Sequence, residues 1–294
     1  MNQDNRHRDK NKDPNGLPDQ IFSNAKIPWE KGKAEVWNDL EEKITKEDHT
    51  TVHVRHLHPN RQWLALAASL VLLLSVSGFM RFYTVRTFCP QGVHTSQQLP
   101  DGSTVELNAE THLSYHPYWW FISREVKLEG EAFFHVEKGE KFKVHSSLAT
   151  TEVLGTTFNV FARGKDYVVT CHTGSVRLSE SLAGSTVILS PNERGQMETS
   201  GGFSVTKLES ALSSPGWTDN LIMFSSAPLR LVFEEIERQF GIVIETPEGM
   251  QQVYSGNFSL DQAVENILSL LCLPFDLEYE RQTGNKYLVY PSTH

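Results

Sequence analysis

The pair Gly155-Thr156, inside Val153-Leu-Gly-Thr156, offers the sharpest chemistry in this chain. A threonine hydroxyl follows a glycine whose carbonyl no side chain shields. Strain at that bond would let Thr156 attack it, giving an N→O acyl shift and chain cleavage. The alternative, and the preferred reading, is that Gly155 forms a strand bulge. Other candidates are weaker. His135, His145 and His172 fall in or beside strand-like segments, where histidines are usually structural. His49, His53, His56 and His58 cluster more closely, and imidazole is a common metal ligand. No cysteine or second ligand pair accompanies them, so they read as a solvated stretch beside lipid phosphates, and neither metal nor cofactor is expected. No nucleophile elbow, His-Glu-x-x-His, Walker loop or dinucleotide turn occurs, so the chain reads as a non-enzyme.

The element that organises these residues is the run from Trp63 to Met80, which carries no charge. As a helix it would span about 27 Å, close to a bilayer's hydrocarbon core. Its aliphatic and aromatic side chains favour insertion by roughly 3–5 kcal/mol. Trp63, Phe82 and Tyr83 suit the two interfaces, and Arg61 and Arg81 can snorkel to headgroups. A buried core helix would show a polar stripe, and this run has none. A signal peptide would not begin 62 residues into the chain. Lys46, Arg55 and Arg61 before the span against Arg81 and Arg86 after it give a small vote for a cytoplasmic N-terminus.

Residues 1–62 are charge-balanced, so the net charge of −9 belongs to residues 81–294. That argues against nucleic-acid binding as the main task. Three scattered cysteines, Cys89, Cys171 and Cys272, make no disulfide framework. Before the span, the spacing predicts a helix from about Lys33 to Lys46. Val36, Trp37, Leu40 and Ile44 would form one apolar stripe, with Glu42 and Lys46 paired on the polar side. A segment this small cannot bury its tryptophan face alone, which points to a partner's groove rather than to a membrane surface.

After Pro90 the period changes to alternation. Val105/Leu107, Val126/Leu128, Phe134/Val136, Phe142/Val144 and Val187/Leu189 each sit two apart, separated by Asp101-Gly102, Glu129-Gly130, Lys138-Gly139, Gly164 and Gly174. This predicts an antiparallel all-β domain over 87–200, with Gly130 at a bulge or a tight turn between strands. Leu99-Pro-Asp-Gly-Ser-Thr-Val-Glu-Leu-Asn108, Arg124-Glu-Val-Lys-Leu-Glu-Gly-Glu-Ala-Phe-Phe-His-Val136, Phe142-Lys-Val144, Val153-Leu-Gly-Thr-Thr-Phe-Asn-Val160 and Gly174-Ser-Val176 resemble the FecR domain in order and spacing. Pro28-Trp29-Glu30 and Val36-Trp37 resemble the N-terminus of such regulators from Bacteroidota.

That resemblance implies a single-pass inner-membrane anti-sigma factor with its N-terminus in the cytoplasm and its C-terminus in the periplasm. Trp29, Val36, Trp37, Leu40 and Ile44 would then bind an extracytoplasmic-function sigma factor. It also allows self-cleavage at Gly155-Thr156. Beyond the linker Ser213-Ser-Pro-Gly216, residues 220–292 alternate strand and helix, predicting a small α+β domain of repeated βαβ units with an open edge. Gly241 would cap the first helix, Ser259 would cap the second and Pro274 would end it. This part is similar to the signalling domains of TonB-dependent receptors, which implies such a receptor as a periplasmic partner. The expected fold is thus multi-domain: a short α segment over 1–62, one transmembrane helix over 63–83, an all-β domain and an α+β domain. Small residues Ser75, Ser77 and Gly78 would loosen the span for an intramembrane protease, or pack against another helix. A membrane-anchored structural or glycan-binding envelope protein is the other reading, but it has no need of the tryptophan helix.

Overall fold

A computed structural model describes residues 30–47, 60–181, 184–208 and 214–292. Trp29 and the histidines at 49, 53, 56 and 58 lie outside the described residues. The chain divides into two compact units, 1–64 and 65–294. In the first, α1 (Lys33–Glu47) forms over the predicted stripe, with Lys31–Asp39 and Lys46–Glu42 ion pairs along its polar side. Next, α2 (Arg61–Phe82) is 22 residues long, its most apolar 18-residue stretch has a mean hydropathy of 2.1, and none of its residues is buried. Ser69 and Ser75 donate their hydroxyls to the carbonyls of Leu66 and Val71, so neither needs water. It is the one helix among the described residues long and apolar enough to cross a membrane.

Thirteen strands follow: β1 (Val85–Cys89), β2 (Thr95–Gln98), β3 (Thr104–Leu107), β4 (Thr111–Tyr115), β5 (Arg124–His135), β6 (Phe142–His145), β7 (Ala149–Val153), β8 (Thr157–Arg163), β9 (Asp166–Thr173), β10 (Val176–Glu180), β11 (Thr186–Leu189), β12 (Glu193–Met197) and β13 (Phe203–Lys207). They make two sheets that share β5. One runs β1-β4-β5-β6-β7-β10-β11, the other β2-β3-β5-β8-β9-β12-β13. The first half of β5 pairs with β4 and β6 and the second half with β3 and β8. All pairs are antiparallel except β5 with β6, so the expectation of a purely antiparallel domain is corrected at that one pair.

Gly130 is where β5 changes sheets. Its φ is +123°, and a Cβ there would lie 2.7 Å from Thr111 Cα and 2.8 Å from Thr111 Cβ. The expected bulge or turn between two strands is instead a bend within one strand, which only glycine allows. The strands extend beyond the predicted 87–200, from Val85 to Lys207. One cluster of buried side chains fills the space between the sheets. At its centre Phe134 and Phe158 stack at 5.0 Å, with Phe142 edge-on to Phe134 at 6.1 Å.

The remaining residues fold around a second cluster. The elements are β14 (Leu221–Pro228), α3 (Leu229–Phe240), β15 (Val243–Glu245), β16 (Val253–Ser259), α4 (Val264–Cys272), β17 (Leu277–Arg281) and β18 (Lys286–Pro291). Strand, helix and strand do alternate twice. However, β14 pairs antiparallel with β16, while β15 and β17 flank β18 in a separate sheet, so neither unit is a βαβ crossover within one sheet. Gly241 caps α3 in the left-handed region with φ +62°. Ser259 does not cap α4; it closes β16, and its hydroxyl accepts from Asp261 N–H. Around Pro274 the end of α4 tightens into a 3-10 turn, Leu273–Phe275. All three cysteines are buried and free.

Phe134→Ala should destabilise the β domain by about 3–5 kcal/mol, because the stacked core cannot collapse around the missing ring. Denaturant unfolding of the β domain measures this, and a loss under about 1 kcal/mol would contradict the packing described.

Candidate functional site

The bend at Gly130 aims the next residue, Glu131, out of the sandwich and into the seam between the β domain and the C-terminal domain. Its carboxylate accepts three bonds: from Asn108 Nδ2 at 2.8 Å, Asn159 Nδ2 at 2.8 Å and Trp217 Nε1 at 3.1 Å. Asn108 follows β3, Asn159 is on β8 and Trp217 lies in the turn leading into β14. Trp217 is 6% exposed, with its ring edge-on to His94 at 5.2 Å. The carboxylate of half-buried Glu131 thus gathers three elements of the β domain and the entry to the next domain.

Around it the seam continues as a polar network from the last turns of α3. Gln239 donates to Asn108 Oδ1 at 2.8 Å and to Glu235 at 2.8 Å, and its carbonyl meets His94 Nε2 at 2.9 Å. Arg238 binds Glu110 through Nε at 2.9 Å and pairs with Glu235. Its backbone carbonyl accepts from Gly92 N–H at 2.9 Å. Arg163 donates to the carbonyls of Ala109 at 2.6 Å and Glu110 at 2.9 Å. Beside this network lies an open cleft of about 1040 Å³, reached by Glu131, Arg163 and Trp217 on one side and Met223, Phe224 and Leu231 on the other.

Burial pushes the Glu131 carboxyl above its ordinary value near 4.5, and the Glu235 charge adds to this, against the pull of the Asn159 and Asn108 donors. Burial also lowers the Arg163 guanidinium, helped by nearby Arg238. The two apolar clusters stay separate, and the seam joins directional bonds to the burial of the Trp217 ring.

The expected site residues fall elsewhere. On α1, Val36, Trp37, Leu40 and Ile44 do share one face and are 37%, 67%, 48% and 60% exposed. Gly155 is not in a strand bulge; it sits in the bend joining β7 to β8, and the irregular register comes later, between Thr157 and Phe158. A Cβ on Gly155 would fall 2.8 Å from Lys138 Cα. Thr156 is buried, and its hydroxyl donates to Ser175 O at 3.1 Å. His135 and His145 lie near Glu106 and Glu125 at 3.4 and 3.5 Å, and His172 lies edge-on to Phe133 at 5.2 Å. Among the described residues no cluster could hold a metal. Sequence reasoning missed Glu131, Trp217, Arg163, Arg238 and Gln239. The available signal was Gly130-Glu131, a glycine and an acid interrupting an otherwise alternating apolar run.

A raised carboxyl pKa means that the folded seam takes up a proton more readily than the open chain. The stability it contributes is therefore complete below about 4.5 and is lost as pH rises through the higher folded value. As pH rises above about 4.5 and through the higher folded value, the amide of Gly92 should lose exchange protection in the native chain and much less in Glu131→Gln. Hydrogen exchange by mass spectrometry, corrected for intrinsic rate, reads this; identical profiles would exclude Glu131 as the titrating group.

The family models agree with this architecture. FecR protein matches residues 84–177 and FecR, C-terminal matches residues 221–289. Two crystal structures, at 2.50 and 1.65 Å, of a protein from Parabacteroides distasonis ATCC 8503 described as a "putative anti-sigma factor" are similar at 26% identity, with TM-scores of 0.65 and 0.64. The similarity covers 72% and 71% of this chain and 100% of each of those. No curated protein matches the chain. With both models matched in order over more than half its length, the chain belongs to the FecR family.

Proposed function

We propose that this chain is a single-pass anti-sigma factor of the bacterial inner membrane. Its N-terminal segment binds an extracytoplasmic-function sigma factor in the cytoplasm, and its two C-terminal domains receive a signal in the periplasm. The observation that carries this reading is the exposed stripe Val36, Trp37, Leu40 and Ile44 on α1, in a chain that also holds α2 and a FecR domain with its C-terminal partner. A tryptophan two-thirds exposed on a helix face is a groove-binding anchor rather than a water-facing residue. Trp29 would extend this anchor. The similar Parabacteroides distasonis structures support the anti-sigma role.

The periplasmic partner is the signalling domain of a TonB-dependent receptor. Among the described residues, each strand of the two-stranded β14–β16 sheet pairs on one side only, so each can accept a further strand through its backbone. β14 also lines the cleft beside Glu131. A strand added there would press on the seam that Glu131 and Trp217 hold. Release of the sigma factor would follow a conformational change or stepwise proteolysis ending in an intramembrane cut near Ser75, Ser77 and Gly78.

Self-cleavage at Gly155-Thr156 is a second route for processing. Thr156 Oγ1 would bond to the Gly155 carbonyl carbon as the amide C–N bond breaks. The hydroxyl proton passes to the new amine, and water then hydrolyses the ester. Its support is that Gly155 fits too closely against Lys138 to carry a side chain, which leaves its carbonyl unshielded; the Thr156 hydroxyl must leave Ser175 O to attack it.

Two outcomes test these proposals. An N-terminal tag should co-purify a sigma-type protein from cells, with recovery falling at least tenfold in Trp37→Ala, as loss of a hot-spot aromatic would give at about 2 kcal/mol. Recovery of no cytoplasmic protein would sink the anti-sigma reading. Intact-mass measurement should find fragments starting at Thr156 in the native chain and none in Thr156→Ala; whole chain alone in both would end the cleavage proposal.

A further inference from the structure

The end of α2 does not leave the membrane into open solvent. Tyr83, one residue past the helix, packs its ring 5.3 Å from Tyr118, and Phe79 lies 6.3 Å from the same ring. The Arg81 guanidinium stands 5.3 Å over Trp119. His116 Nδ1 meets the Tyr83 carbonyl at 3.0 Å and Thr84 Oγ1 at 3.1 Å. These contacts tie the helix end to one turn of the β domain, the 3-10 segment Pro117–Trp119 and the residues after it.

That turn is built in two directions. Trp120 points inward, 5% exposed, edge-on to Tyr115 at 5.6 Å and to Phe142 at 5.8 Å. Its neighbours point outward: Tyr118 is 44% exposed, Phe121 79% and Ile122 57%. Phe82, at the last position of α2, is 78% exposed. Exposed apolar side chains therefore stand on both sides of the Arg81–Trp119 contact, at the end of α2 and on the β domain. An outward Phe and Ile beside Tyr and Trp is the composition of an interfacial belt, and contiguous apolar patches of this kind mark an interaction surface.

We infer that the Pro117–Ile122 turn is a membrane-surface anchor, which beds Tyr118, Trp119, Phe121 and Ile122 into the headgroup layer of the bilayer that α2 crosses. The inference rests on α2 being a membrane span. Arg81 fixes the depth: a guanidinium at the end of an apolar helix sits among headgroups, and Trp119 lies against it. Recognition is through rings rather than charge. Around the turn, Arg124 pairs with Asp101, Lys143 with Glu125 and Lys141 with Glu152, while Arg81 lies over the Trp119 ring. The anchor thus takes a bilayer interface as such, not an anionic lipid, and it holds the β domain at a set angle to the span.

The test uses the full chain in phosphatidylcholine nanodiscs with bromine on the acyl chains. Because Cys89, Cys171 and Cys272 are buried, a fluorophore can be attached selectively at Ile122→Cys, with Leu70→Cys as the span reporter and Val253→Cys as the water-facing reference. Bromine should quench the label at 122 several-fold more than at 253. Adding Phe121→Asp, a change at an exposed position, should remove most of that excess. The quenching should be the same when phosphatidylglycerol is mixed in. Quenching at 70 with none above reference at 122 overturns the anchor and leaves the span standing. A label at 122 shielded from both bromine and aqueous iodide means that protein covers the turn, which also overturns it. No quenching at 70 removes the span, and the anchor with it.

Discussion

One bend in one strand sets the arrangement of everything beyond the span. β5 belongs to both sheets, and it can do so only because Gly130 takes a positive φ where Thr111 leaves no room for a Cβ. The bend closes the sandwich and, by the alternation of side chains along a strand, turns Glu131 outward next to it. A carboxylate at that position is costly in a closed seam, because burial penalises its charge. The structure offsets the cost with three donors drawn from separate elements. The same residue therefore records whether the C-terminal domain is in place: without Trp217 the carboxylate loses one donor and regains water.

A seam of this type differs from a hydrophobic interface in how it can change. Apolar area holds two bodies together without direction, and separating them costs in proportion to the area exposed. Hydrogen bonds in the seam contribute only about 0.5–1.5 kcal/mol each once exchange with water is counted, and somewhat more where a charge takes part. Opening restores solvation to Glu131, Arg163, Arg238 and Glu235 together, so the loss of bonds and the gain of hydration largely cancel. Such a joint is specific in geometry, and uncovering Trp217 is the apolar cost of opening it. Directional polar contacts of this kind suit the proposed relay.

What the sequence disclosed follows the range of the interactions involved. The span, α1 and the helices of the C-terminal domain are local and periodic, and their boundaries came within a few residues: Lys33, Phe82 and Gly241 mark real ends. Strand positions were legible from alternation, but sheet membership was not, because pairing joins residues far apart. Glu129-Gly130 read as a gap between strands because glycine ends strands more often than it bends them, and Ser259 read as a cap because a hydroxyl bonded to the N–H two residues on looks the same in sequence whether or not a helix begins there. The seam was missed for the same reason. Asn108, Glu131, Trp217 and Gln239 span more than a hundred positions, and each alone is an ordinary polar or aromatic residue.

The two exposed apolar surfaces on the helices call for different surroundings, and their shapes say which. On α1 the apolar residues occupy one face, with Lys31–Asp39 and Lys46–Glu42 pairs on its polar side. A stripe of that width is satisfied by a groove, which covers one face and leaves the other in water. On α2 every face is apolar and no residue is buried by the rest of the chain. No groove covers a helix on all sides, whereas hydrocarbon does, and the inward-bonded hydroxyls of Ser69 and Ser75 remove the polar groups that would object. Under the proposed reading, protein covers the stripe and lipid the cylinder, which leaves neither surface facing water.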